Sequence, residues 1–286
     1  MFAAIINQFS TKLVVINLNY NPIIKSQLNN LMAYAAPESI AKDLIATINQ
    51  IINDARFIDI NSSQAVKLLA DARKLLAVEP SEGNIVLAGV YQICNMVDKV
   101  EYHVGLANKL PCINIPNLHL NSTVALCNIG LYSKSQVHFS QITEPNSINS
   151  YEIIDGGYGS LSIIKMNELL TRAQSMKLKI NPEVLELTTR AKTVLNKHNI
   201  SDATLAGYAD VFGSLLREKN LMLKSTWPDI VVGDQSTSWY PETIFITFKV
   251  ETDPKSAAGL YKEGTKRLIS KFSHIPDALH FSVEPY

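Results

Sequence analysis

The sequence predicts an α+β protein in three parts: an N-terminal helical bundle over 1–110, a central β-rich segment over 111–165, and a C-terminal α/β unit over 166–286 with a small mixed sheet. Three observations predict it. Apolar residues recur at helical spacing through the first third. Short runs of β-branched and aromatic residues bounded by Asn, Ser, Gly and Pro follow Pro111. From residue 221 onward the pattern is strand, loop, strand, helix, strand.

A strand is expected over 13–18. Asn21-Pro22 then marks a helix start, because proline at the first helical position gives up an N–H that has no partner there anyway. Ile24, Leu28, Leu31 and Ala35 line one face, and Pro37 opens the next helix, with Ile40, Leu44, Ile48, Ile51 and Ala55 on its apolar side. Two further helices are expected over 62–77 and 82–109, the second with Gly89 and Ala88 allowing a neighbour to approach closely. No repeat of fixed length runs through them.

After Pro111, CINIPNLHL, STVALCNIGLY and SQVHFSQIT are expected as strands, with Pro116 confining the first to an edge or bulge. Residues 144–150 are expected as a surface loop, and Asp155-Gly156-Gly157-Tyr158-Gly159 as a tight turn. Helices resume near Met166. Asn181-Pro182 and Ser201-Asp202 cap two of them, the latter with Leu205, Tyr208, Phe212 and Leu215 on one face. Strands follow near 221–232, 243–252 and 278–284, and Asp253-Pro254 caps a helix whose buried side carries Tyr261, Leu268 and Phe272.

Composition narrows function by exclusion. Lys plus Arg number 26 and Asp plus Glu 26, so the chain lacks the basic excess that drives counterion release on nucleic acid. At 47% hydrophobic residues it is not a disordered chain. Three cysteines without a C-x-x-C pair suggest reduced thiols and an intracellular protein, and no apolar run suggests a signal peptide or a membrane span. The glycine group at 156–159 lacks the Lys-Ser/Thr of a phosphate loop. His103, Cys112, His119, Cys127 and His138 invite a zinc site, yet no two sit at the paired spacing of a zinc knuckle, so scattered core and surface positions are expected. No nucleophile elbow or H-E-x-x-H motif occurs.

The remaining constellation is C-terminal. Trp227-Pro228-Asp229 opens the run Ile230-Val231-Val232, and the next strand reads Ile246-Thr247-Phe248-Lys249-Val250-Glu251. With its order of helix, two strands, helix and strand, the segment from about 202 to 286 resembles the core of the PD-(D/E)XK nuclease superfamily. The resemblance implies Asp229 as a magnesium ligand and Lys249 as the lysine that positions or activates the attacking water. The acid position falls on Thr247, which cannot neutralise a cation as a carboxylate does. Glu251 shares a strand face with Lys249 and is the substitute ligand, with Glu218 on the preceding helix as another candidate. Trp227, Trp239 and Tyr240 flank the hairpin as packing or interface aromatics, and Lys262, Lys266, Arg267 and Lys271 form a solvated helix face interrupted by Glu263.

Two functions are therefore expected. The first is a non-catalytic structural or interaction protein without a cofactor, meeting other protein subunits as a homo-oligomer or particle component, intracellular or associated with a virion. Sparse charge and neutral polar surface suit such contacts, and the Asn and Ile bias suggests an AT-rich viral, phage or bacterial source. The second is a magnesium-dependent nuclease, or its inactive relic, acting on nucleic acid through Asp229, Lys249 and Glu251. Neither involves a membrane.

Overall fold

A computed structural model of the chain describes residues 37–112, 114–146, 148–223, 227–233 and 242–286. The strand and helix expected before residue 36, together with Trp239 and Tyr240, lie outside these residues. Among the described residues are eleven helices and one three-stranded sheet. The chain divides into two compact units: Ile58–Cys112 with the residues up to Ile51, and Ile52–Phe57 with the residues from 113 to 286.

The first unit is helical. Helices α1 (Pro37–Asn53), α2 (Ser63–Val78), α3 (Pro80–Ile93) and α4 (Val97–Ala107) are each amphipathic, with Leu44, Ile48 and Ile51 of α1 and Leu68, Leu69 and Leu75 of α2 buried. The single long helix expected over 82–109 is two helices. Asn95 adopts a left-handed conformation (φ 56°), which Asn tolerates better than most residues and which ends α3. Gly83 brings α2 and α3 together: a Cβ there would lie 2.3 Å from the Leu76 Cα. Gly89 has more room, 3.4 Å from Ile48 Cδ1.

The second unit holds no central β-rich segment. Residues 111–165 instead form α5 (Ile115–Cys127), α6 (Tyr132–Ser140), α7 (Ser150–Ser160) and the start of α8 (Ile163–Ser175). Pro116, expected to mark a strand edge, sits in the first turn of α5, where Asn114 caps by accepting from the Asn117 N–H. The segment 144–150 leads into a capping box: Asn149 Oδ1 accepts from Glu152 N–H, and Glu152 Oε2 accepts from Asn149 N–H. The glycines at 156, 157 and 159 are no turn. They lie inside α7 and replace side chains where neighbours press closest: added Cβ atoms would come within 2.8 Å of Leu120 and Phe139, 2.4 Å of Met166 and 2.9 Å of Cys127. Burial against other helices has outweighed the strand preference of the β-branched residues.

Helix α9 (Pro182–Lys197) and α10 (Asp202–Glu218) start at the expected caps, Asn181 and Ser201. Strand β1 (Asp229–Val232) pairs antiparallel with β2 (Ile244–Val250). Helix α11 (Pro254–Lys271), capped by Asp253, crosses over so that β3 (Leu279–Pro285) runs parallel to β2. Alternation puts Ile244, Ile246, Phe248 and Val250 inward and leaves Phe245, Thr247 and Lys249 on the other face. Phe212 of α10 stacks on Phe248 and Phe281 at 5.1 and 5.4 Å, and Tyr132 of α6 meets Phe248 edge-on. Gly264 of α11 lets that helix settle on the Phe212 ring, where a Cβ would be 2.4 Å away. The buried side of α11 is therefore Ala257, Leu260, Gly264 and Leu268, while Tyr261 faces solvent.

Helix α10 also terminates three other helices. The Asp202 carboxylate accepts from the Ile164 and Lys165 N–H groups, both at 3.0 Å, at the start of α8, where Ser162 makes no side-chain cap. Asp210 accepts from Ser133 N–H at the start of α6, and the Arg217 guanidinium donates to the Ile129 carbonyl just past α5. Acids meet the positive ends of helices and a base meets a negative end. The three residues lie along one stripe of α10, and Gly213 between them meets the backbone of Gly130, which has a φ of 66°.

Candidate functional site

The strands carry two of the three expected site residues to one place. Asp229 starts β1 directly opposite Thr247 of β2, and because i and i+2 share a face, Lys249 stands beside them. Lys249 Nζ lies 2.6 Å from Asp229 Oδ2, with Glu284 of β3 next to it in register. The Asp229 hydrogen bond is the main cause that raises the Lys249 pKa above the usual lysine value. Thr247, in the position of the missing acid, shares a 2.8 Å hydrogen bond with Ser282 of β3. Phe245 stacks on His280 at 5.3 Å, and Val231 is half exposed beside them.

Glu251 is exposed beyond the last residue of β2. Glu218 is engaged elsewhere: Arg267 of α11 donates to both of its carboxylate oxygens at 2.8 Å, and this pairing holds its pKa below the usual range. Arg267 also binds Glu263, so the expected solvated helix face is a network of ion pairs at this point. Arg190 of α9 donates to the Val232 and Gly233 carbonyls at the end of β1. Trp227 is half-buried at the entry to β1.

The face thus offers the Asp229 carboxylate, paired with the Lys249 ammonium, the Thr247–Ser282 hydroxyl pair, and Glu284 in register with Lys249. A magnesium site takes oxygen ligands, commonly one or two carboxylates plus substrate phosphates. Among the described residues no three of His, Cys, Asp and Glu stand close enough together to hold a metal ion.

The five soft donors disperse in part. His103 belongs to the first unit, where its Nδ1 lies 2.8 Å from Asn84 Oδ1 and its ring stacks on Tyr91. Cys127 is buried and its thiol donates to the Val124 carbonyl, with burial pushing the thiol pKa up to about 12. His119 of α5 and His138 of α6 do come together, with ring centroids 6.0 Å apart. Burial lowers both pKa values, His138 to about 4 with His119 adding to the effect. On α7 burial raises the Asp155 carboxyl to about 7, the charge of Glu152 adding to it. Sequence reasoning passed over Asp155, reading it as part of a turn. The signal that could have found it was the spacing of three between Glu152 and Asp155, one helical turn.

No family model matches the chain, and neither a curated protein nor a solved structure matches it.

Proposed function

We propose that this chain is a non-catalytic interaction protein, a subunit of a homo-oligomer or larger particle, intracellular or virion-associated, and that its C-terminal sheet face serves contact rather than chemistry. The observation that carries the reading is the Asp229–Lys249 ion pair with Thr247 opposite Asp229. The Asp229 carboxylate is neutralised within the protein, and its neighbour is a hydroxyl bonded to Ser282. Half-exposed Val231 and the Phe245–His280 stack add apolar and aromatic surface suited to a protein partner. No helix among the described residues is long and apolar enough to cross a membrane. Sedimentation equilibrium of the purified protein tests the proposal. Particles that are multiples of the 31.7 kDa chain, or a stable partner recovered from the native source, support it. A stable monomer without a partner overturns it.

A second reading is favoured by the convergence of Asp229 and Lys249, two of the three groups a magnesium-dependent nuclease of the PD-(D/E)XK type needs. Cleavage of single- or double-stranded DNA or RNA with magnesium or manganese, lost in Asp229→Ala, would establish it. The register makes a sharper test. If Thr247 alone separates this face from a cation site, Thr247→Glu creates two facing carboxylates, and saturable magnesium or manganese binding appears in calorimetry where the parent shows none. Absence of binding in Thr247→Glu shows that the face departs from the nuclease geometry by more than one side chain.

A further inference from the structure

Helices α5 and α6 are consecutive and pack together, and each contributes one imidazole to the same spot. The His119 and His138 ring centroids are 6.0 Å apart, with the ring planes tilted by 35°. His119 Nδ1 is buried without a hydrogen-bond partner. An orphaned buried nitrogen calls for an explanation, and a bound ion or water is the common one. A metal about 2.1 Å from an imidazole nitrogen stands about 3.2 Å from that ring's centroid, so two rings sharing an ion have centroids about 5.2 Å apart at a tetrahedral angle and about 6.4 Å apart at a linear one. The observed separation of 6.0 Å is about 0.8 Å above the tetrahedral value, so the two rings close on the ion by a side-chain adjustment of that size.

We propose that His119 and His138 form a two-histidine site for a divalent transition ion of the zinc, nickel or cobalt class, which joins α5 to α6. Imidazole suits these ions, and the two coordination positions left over in a tetrahedral shell go to water. Because burial disfavours the charged imidazolium, both rings keep the lone pair that a metal needs. The site shares no residue with the C-terminal sheet face and does not depend on the function proposed for it.

Calorimetric titration of the full chain with zinc chloride at pH 7.5 tests the assignment. One saturable ion per chain is expected, together with a zinc-dependent rise in melting temperature. His119→Gln and His138→Gln, checked for helix content by circular dichroism, should each lose both effects, while His103→Gln keeps them. The assignment can also be read without any substitution, from the imidazole resonances of the parent protein. Zinc should shift those of His119 and His138 ahead of the other four histidines. No saturable binding, binding retained in both variants, or first shifts at other histidines overturns the proposal.

Discussion

Between α5, α6 and α7, burial is the leading cause that moves each ionisable group from its ordinary pKa: Asp155 rises to about 7, His138 falls to about 4, and Glu152 rises. At Lys249, Glu218, Glu263 and Arg267, around the C-terminal sheet and α11, the leading cause is a hydrogen bond to an opposite charge. Lys249 is raised by Asp229, Glu218 is lowered by Arg267, and Arg267 is raised by Glu263 and Glu218. The two regions lie in one unit, yet the first desolvates its charges and the second pairs them near solvent. Desolvated groups respond to pH or to a ligand, whereas paired surface groups are largely satisfied and contribute little. The difference originates in glycine: α7 can press against α5, α6 and α8 because three of its positions have no side chain.

The strongest way to break the contrast is therefore to give α7 a side chain. In Gly157→Ala the new Cβ would stand 2.4 Å from Met166 Sδ and 2.6 Å from Met166 Cβ. Alanine's helix propensity favours the variant by about 1 kcal/mol, but overpacking of this kind costs more, and a net loss of roughly 2–3 kcal/mol is expected by urea denaturation. Gly259→Ala on α11 is the control, since its Cβ meets nothing within 4 Å, and it should gain about 0.5–1 kcal/mol. Equal stabilisation of both variants would mean that α7 has room to spare.

Asp155→Asn sharpens the contrast through pH. A carboxyl whose folded pKa is raised to about 7 from an ordinary 3.8 contributes stability that is present below 3.8 and lost as pH rises through 7. The parent should therefore bear a penalty at pH 8 that the uncharged amide avoids. Asp155→Asn is expected to be more stable by on the order of 2 kcal/mol at pH 8, and the gain should shrink steadily toward pH 4. His138 runs in the opposite sense: with a folded pKa near 4 and an ordinary 6.5, its contribution is present above 6.5 and fades as pH falls toward 4. A pH-independent gain in Asp155→Asn would refute the desolvated carboxylate.

What could be read from the sequence divides along the same line. Caps at Asn181, Ser201 and Asp253 act locally and were legible, as was the strand, strand, helix, strand order after residue 221. Asp229 and Lys249, which the resemblance implied together, do meet, whereas strand alternation was applied to Glu251, which lies beyond the end of β2. Residues 111–165 were misread because Pro116 and the glycines of α7 carry two meanings. Proline suits a strand edge or a first helical turn, and glycine suits a turn or a close helix contact, and only the packed neighbours decide. The caps that α10 supplies were hidden for another reason. Asp210 reaches a residue 77 positions away and Arg217 one 88 away, so no local window contains both partners.

The smallest effect belongs to the sheet face. Asp229 and Lys249 form a close pair, but the Lys249 side chain is 35% exposed and Asp229 16%, so water screens the attraction and holding the long lysine costs entropy. Asp229→Asn should cost less than about 1 kcal/mol at pH 7, and a double-mutant cycle with Lys249→Met should return a coupling of the same small size. Since the folded pKa of Lys249 is raised, the pair's contribution is complete below the ordinary lysine value of 10.5 and disappears as pH climbs through the folded one. Added salt should weaken it further. A loss of 3 kcal/mol or more in Asp229→Asn would instead mean that the ammonium is left buried without its partner, placing this face with the desolvated region around α7 and removing the contrast.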